Sequence, residues 1–247
     1  MLDKLYYVIM VPMVYAAFGV FLLGVAGRSI RIVLAPRQKT TLQTFPRKEP
    51  AWLHAIIDTV LFPAMRTIRP ALWAVTLIFH MALVLLVIGH LELIRDIRVL
   101  QIVPHQVFLG AGLVGLALTL SLLFFLFSRF KTPYREISVP EDYFLLLLLL
   151  LTVLSGSHMS WAQYLSPAGF DIAVPSYREY LSSLLTLAPN VSPGIAGSPH
   201  YVLVAMHVFF ANLFLMALPF SKIMHTFFAL PLNLIRRGGL YGADTAP

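Results

Sequence analysis

Two histidines close the ends of one apolar run, His207 to His225, HVFFANLFLMALPFSKIMH. Eighteen residues at about 100° each make five full turns, so in a straight helix both imidazoles leave one face. A second pair lies upstream, His80 and His90 in FHMALVLLVIGHLEL. A histidine inside a membrane helix is costly and rare, and it faces a partner in the bundle interior. Four on two such helices make two bis-imidazole sites, and b-type haem is the guest that chemistry suits: a neutral imidazole on each side of iron, its other nitrogen hydrogen-bonded. One such histidine alone is more often a hydrogen-bonded interior residue or a proton relay.

The composition fixes the setting. The 247 residues are 59% hydrophobic, with a mean hydropathy of +0.82, which is the signature of a polytopic membrane protein. Cysteine is absent, so the chain has no disulfide, no Cys-ligated iron–sulfur cluster and no c-type haem. If electrons pass to such centres, those belong to partners. The net charge of +7 does not point to nucleic acid here, because basic residues of a membrane protein mark its cytoplasmic side. No cleavable signal peptide is expected, since the first apolar run is long enough to span and no A-x-A-like site follows it.

The elements that must position the histidines form an all-α membrane bundle. Five spans are expected, at about 5–26, 71–93, 104–127, 143–164 and 200–230. Pro12 and Pro219 interrupt the first and fifth. Between the first two lies a basic stretch, then Ala51 to Arg69, which is too interrupted to cross and reads as an interfacial amphipathic helix broken at Pro63. GAGLVGLAL, at the start of the third span, offers small residues for close helix contact. Seven consecutive leucines open the fourth and read as lipid-facing. Within the long stretch 166–199, SYREYLSSLLTL reads as a short amphipathic surface helix.

Five spans place the termini on opposite sides. With the N-terminus outside, the inner side holds fourteen of the 18 Lys and Arg, and the outer side keeps Lys4, Arg95, Arg98 and Arg178. The C-terminus is therefore expected in the cytoplasm. The second and fifth spans then run antiparallel. His80 pairs with His225 towards the cytoplasm, and His90 with His207 towards the outside. Ten residues rise about 15 Å and eighteen about 27 Å, so tilt or a kink at Pro219 must absorb the difference. A mean of roughly 21 Å between irons would suit transfer across the bilayer. The ten-residue spacing also turns His90 about 80° from His80.

The two segments resemble the haem-binding segments of the cytochrome b subunit of respiratory nitrate reductase, the gamma-subunit superfamily. That pattern has two histidines ten apart on the second helix, with Gly before the second, and two more eighteen apart on the fifth, with a Pro-Phe-Ser-basic run before the last. Here these are His80, Gly89, His90, His207, Pro219, Phe220, Ser221, Lys222 and His225. Within the superfamily, other stretches look closer to the membrane cytochrome of the sulfite-reductase-associated Dsr complex and to heterodisulfide-reductase-type membrane subunits. They are the long first cytoplasmic loop, ISVPEDYFLLLLLLLTVLSGSHM, EYLSSLLTLAPN and FALPLNLIRRG. Some members of that group carry an extra terminal helix, which is not expected in this sequence. The resemblance implies a two-haem subunit of a respiratory complex in the cytoplasmic (inner) membrane. Such a subunit carries electrons between menaquinone or another quinone and a cytoplasmic iron–sulfur subunit, in dissimilatory sulfur metabolism, beside further membrane or periplasmic subunits. A nitrate reductase gamma subunit is the alternative.

By the same resemblance, a quinone site belongs near the outer haem. Gly89 matches the family segment there, and Glu92, Arg98 and His105 are polar groups able to bond a quinone oxygen or take its protons. The plainer reading makes Glu92, Arg95, Asp96 and Arg98 a solvated loop. Arg66 and Arg69 precede the second span, as partners of haem propionates or as topology signals. His54, His158 and His200 receive no role; a third metal site and surface hydrogen bonding both stay open for the last two. A proton-coupled transporter would also use membrane histidines, but would more often show inverted repeats, and none is visible. A structural anchor would not need four depth-matched histidines.

Overall fold

The structure is a computed structural model, and it describes residues 2–35, 49–94, 112–165 and 172–237, with backbone alone for 163–165. Every regular element among these is helical. Four helical stretches are long and apolar enough to cross a membrane: Leu2–Leu34, Pro70–Ile94, Pro140–Ala162 and Tyr201–Phe220. The chain is thus an all-α, multi-pass membrane protein. The first residues of the expected third span lie outside the described residues, and its described part is the apolar helix α6, Leu113–Ser128.

The chain divides into two units. The first comprises Met1–Leu22 and Ile78–Ala217, and the second Leu23–Leu77 and Leu218–Pro247.

In the first unit, α1 (Leu2–Met10) meets α2 (Pro12–Leu34) at a turn on Val11. Pro12 has no amide hydrogen to give the carbonyl four residues back, so the helix loosens there. The carbonyls beside the break find side chains instead. Tyr180 Oη donates to Met10 O at 2.5 Å and Asn212 Nδ2 to Ile9 O at 3.2 Å. These two donors come from α9 (Val174–Leu185) and α11 (Tyr201–Ala217). Tyr15 Oη closes the loop by donating to Leu184 O at 2.9 Å. Helix α9 is amphipathic, as expected, and its apolar face is inserted while the other stays exposed. Tyr180 and Leu184 enter a core with Met10, Val11, Val14, Val204 and Ala205, and with Ile195 of the short α10 (Pro193–Ala196). Burial pushes the Tyr180 phenol well above its ordinary range, which keeps it a donor.

A second core joins α5 (Pro70–Ile94), α6 and α8 (Pro140–Leu165) through Ala82, Val114, Leu118, Leu122, Leu150 and Val153. In lipid, apolar area gives helices little reason to associate, so close backbone approach matters more. Ser157 Oγ and Trp161 Nε1 lie where a Cβ on Gly115 or Gly112 would stand, as the small-residue segment suggested. The leucine run reads differently in three dimensions. Leu145, Leu148 and Leu150 are buried, while Leu147 is half-exposed, because α8 packs against both α6 and α11. Its base is held by Arg129, which donates to Asp142 Oδ2 at 3.1 Å and to Ser138 Oγ at 3.0 Å, just after the one-turn helix α7 (Tyr134–Ile137).

In the second unit, α3 (Ala51–Val60) and α4 (Pro63–Ile68) break where Pro63 was expected to break them. The residue before a proline avoids the α region, and Phe62 takes φ 45°. Trp73 Nε1 donates to Leu61 O at 2.7 Å, and the Arg66 guanidinium lies 5.3 Å from the Trp73 ring centroid. Helix α12 (His225–Arg236) packs on α3, with Arg237 bound to Asp58 and Asn233 Nδ2 donating to Thr59 Oγ1 at 2.9 Å.

Candidate haem-ligating site

The expected fifth span of 200–230 is not one helix. Helix α11 ends at Ala217, and 3₁₀ turns at Leu218–Phe220 and Lys222–Met224 lead to α12. Pro219 cannot continue the hydrogen-bond ladder. The second unit receives this break with groups from α2. Arg28 Nη1 donates to Pro219 O at 2.9 Å and to Ser221 O at 3.3 Å, and a Cβ on Gly24 would stand 2.5 Å from the Pro219 Cβ. Ser221 Oγ accepts from Ile223 N at 3.1 Å. His225 therefore opens a separate helix, and the five-turn phase relation with His207 does not hold.

His90 and His207 come together in the first unit. Their ring centroids are 6.1 Å apart and their planes differ by 27°. Each ring has one nitrogen already committed. His90 Nδ1 lies 2.8 Å from Leu86 O, and His207 Nδ1 lies 3.0 Å from Thr152 O. A carbonyl only accepts, so Nδ1 carries the hydrogen in both, and each Nε2 keeps its lone pair. Ser155 Oγ adds a second neighbour to His207 Nδ1 at 3.3 Å. A Cβ on Gly156 would lie 3.0 Å from His207 Cε1, so the ring rests against the α8 backbone.

The separation of the two rings is compatible with two ligands of one metal ion. Two imidazoles bonded at about 2 Å to one ion bring their ring centroids to about 6 Å, as observed. Among the described residues no three His, Cys, Asp or Glu gather as a metal site. A haem iron asks for only two axial side chains, the macrocycle providing the rest.

His80 also belongs to the first unit, with its ring edge-on to Phe79 at 5.3 Å. His225 belongs to the second, and its Nδ1 lies 3.1 Å from Lys222 O.

Of the candidate quinone residues, Gly89 is buried and Glu92 is 1% exposed, inside α5. Glu92 is thus no part of a solvated loop. Arg178 of α9 donates to the Glu92 carbonyl at 3.3 Å. Arg98 and His105 lie outside the described residues. Arg66 lies against Trp73. His158 is exposed, and His54 and His200 are half-buried.

Sequence reasoning missed the α8 segment around Thr152, Ser155 and Gly156, and also Arg28 and Arg178. Only the interruption of a leucine run by Thr, Ser and Gly gave a signal for the first.

Two proteins of known name are similar to the chain. The Hdr-like menaquinol oxidoreductase cytochrome b-like subunit of Archaeoglobus profundus is 27% identical over 62% of this chain and 46% of that protein. The protein of the same description from Archaeoglobus fulgidus is 28% identical over 62% of this chain and 47% of that protein. The chain spans about half the length of the curated relatives it matches. The model of the nitrate reductase gamma subunit family matches residues 67–241, a range that runs from the end of α4 past α12 and takes in all four histidines, and the chain belongs to that family.

Proposed function

We propose that the chain is the cytochrome b-like membrane subunit of a menaquinol oxidoreductase complex and binds two b haems. The facing pair His90 and His207, each with Nδ1 tied and Nε2 open, carries this reading. The names of the two archaeal relatives agree with it. The second pair, His80 and His225, is proposed from the sequence spacing, with the N-terminus and the His90 end outside and five spans crossing the cytoplasmic membrane. Bound there, the haems supply one-electron chemistry.

The chain's own residues do the remaining work. The backbone carbonyls of Leu86, Thr152 and Lys222 fix tautomers and aim Nε2. At the outer end, Gly89, Glu92, Arg98 and His105 form the quinone site. Glu92 supplies a carboxylate held away from bulk water, fit to take a proton from a quinol hydroxyl. Helix α9, anchored by Tyr180 and reaching α5 through Arg178, covers that end. The chain has no cysteine to hold an iron–sulfur cluster, and the resemblance to Dsr-type and heterodisulfide-reductase-type membrane subunits supports a cytoplasmic iron–sulfur partner docked on the basic inner loops, in dissimilatory sulfur metabolism. The family's own description gives a second reading, a nitrate reductase complex with the same haem pairs and a different soluble partner.

The test is a reduced-minus-oxidised spectrum with haem counted per chain. Two haems with a b-type α band are expected, and His90→Ala should lose one and keep the other. Full occupancy in that variant would sink the His90/His207 assignment.

A further inference from the structure

The imidazole of His207 does not stand on its own helix for support. Its Nδ1–H points into one turn of α8, where Thr152 O at 3.0 Å and Ser155 Oγ at 3.3 Å share it. The Ser155 hydroxyl lies 2.8 Å from Leu151 O and 2.9 Å from Thr152 O. Its hydrogen is therefore spent on backbone, and a lone pair is what Oγ turns towards the ring. Gly156 brings the α8 backbone against the ring, since a Cβ there would stand 3.0 Å from Cε1 and 3.3 Å from Nδ1. Glycine inside a helix is less stable than alanine, and here it coincides with the seat of an imidazole. His90 is different. It is exposed, and its Nδ1–H returns to Leu86 of its own helix.

From this asymmetry we infer that the Thr152–Gly156 turn of α8 sets the orientation and basicity of His207, with Ser155 as a positioning residue that tunes the redox potential of the haem it ligates. The inference rests on the His90/His207 reading above. A second acceptor on Nδ1–H pushes electron density towards Nε2, and a more basic axial nitrogen favours the oxidised metal. Helix α8 packs on α11 and on α6, so the seat beneath His207 belongs to a helix other than the one that carries the ligand. The family model accounts for the histidines; the seat is a property of what α8 places beneath one of them.

The experiment uses the full chain, purified with its haems, and three substitutions, Ser155→Ala, Ser155→Thr and Gly156→Ala, beside His207→Ala. Haem per chain, a redox titration followed at the α band, and the low-spin electron paramagnetic resonance signals are read together. Ser155→Ala should keep the haem content and raise the midpoint potential of one haem only, and Ser155→Thr, which restores a hydroxyl, should bring it back. Gly156→Ala, whose methyl must displace the ring, should alter the low-spin signal of that same haem or lose it. Unchanged potentials in Ser155→Ala, or two that move together, would overturn the inference while His207→Ala still loses one haem. If His207→Ala keeps both haems, the His90/His207 site itself falls, and the inference with it.

Discussion

Arg28→Met removes a guanidinium that bonds the break after α11, and it leaves the aliphatic stem in place. Arg28 bonds two carbonyls at the break, Pro219 O at 2.9 Å and Ser221 O at 3.3 Å, the second shared with the Met224 amide at 3.4 Å. Hydrogen bonds to a charged partner contribute about 1.5–3 kcal/mol each. Arg28 is half-buried and the second bond is long and shared, so the pair falls around the lower end of the combined range, at about 2–4 kcal/mol. For a chain of this size each kcal/mol moves Tm by roughly 2–4 °C, which gives a loss of roughly 5–15 °C. The assay is a thermal melt of the purified chain in a single detergent, with haem content read in parallel. Arg28→Lys should fall between the two, because an ammonium lacks the planar fork. The haem assigned to His225 should be the less stably held, since His225 follows the break directly. A melt of Arg28→Met within about 2 °C of the unaltered chain, with both haems at full occupancy, would refute the claim that Arg28 sustains the break.

The other expectations can be checked on the same material. Tyr180→Phe removes the donor to Met10 O and should destabilise the α9 dock by about 1 kcal/mol, measured as faster hydrogen exchange across α9. Because burial raises the Tyr180 pKa, its contribution is present below the unfolded value of about 10 and is lost as pH climbs through the higher folded value. The alkaline loss of protection in α9 should therefore begin above pH ~10 and be blunted in Tyr180→Phe. Asp58→Ala removes the carboxylate that Arg237 binds and should loosen α12 from α3, seen as protease cleavage near the end of α12; Asp58→Ala with Arg237→Ala together should cost less than the sum. Glu92→Gln should slow reduction by an added quinol analogue in proteoliposomes while leaving dithionite reduction and haem content unchanged, and unaltered kinetics would remove Glu92 from the quinone site.

Much of the membrane architecture was legible because hydropathy and length are averages over twenty residues and survive tertiary context. The second and fourth spans, the break at Pro63 and the small-residue contact of α6 follow from that kind of signal. What was not legible depends on neighbours. A run of seven leucines has no period, so nothing in it tells that Leu145, Leu148 and Leu150 turn inward while Leu147 does not. Glu92 reads as loop because it is charged and close to Arg95 and Asp96; in the structure α5 continues to Ile94 and carries it inside. Arg28 reads as one cation among fourteen on the inner side, and its distinct task appears only when Pro219, 191 residues away, is seen to offer a carbonyl.

The histidine spacing shows the same limit in sharper form. As a pattern, ten residues and then eighteen pointed to the family that the chain belongs to. As geometry, eighteen residues of straight helix would have tied His225 to the phase of His207, and they do not, because the helix stops at Ala217. The orientation of His225 is set instead by what holds α12: the Lys222 carbonyl at its Nδ1, the Ser221 cap one turn before it, and the polar lock of Asn233 and Arg237 on α3. The spacing therefore acts as a signature whose length includes a break, and the two proposed ligand sites are positioned by different means. His207 is seated by α8, a neighbour within its own unit, whereas His225 follows the break and opens a helix that is locked on α3 at its far end. A substitution in α8 should then disturb the His207 haem and spare the other, and a substitution at Arg28 should do the reverse; a variant of either kind that shifted both haems equally would show that the two seats are not independent.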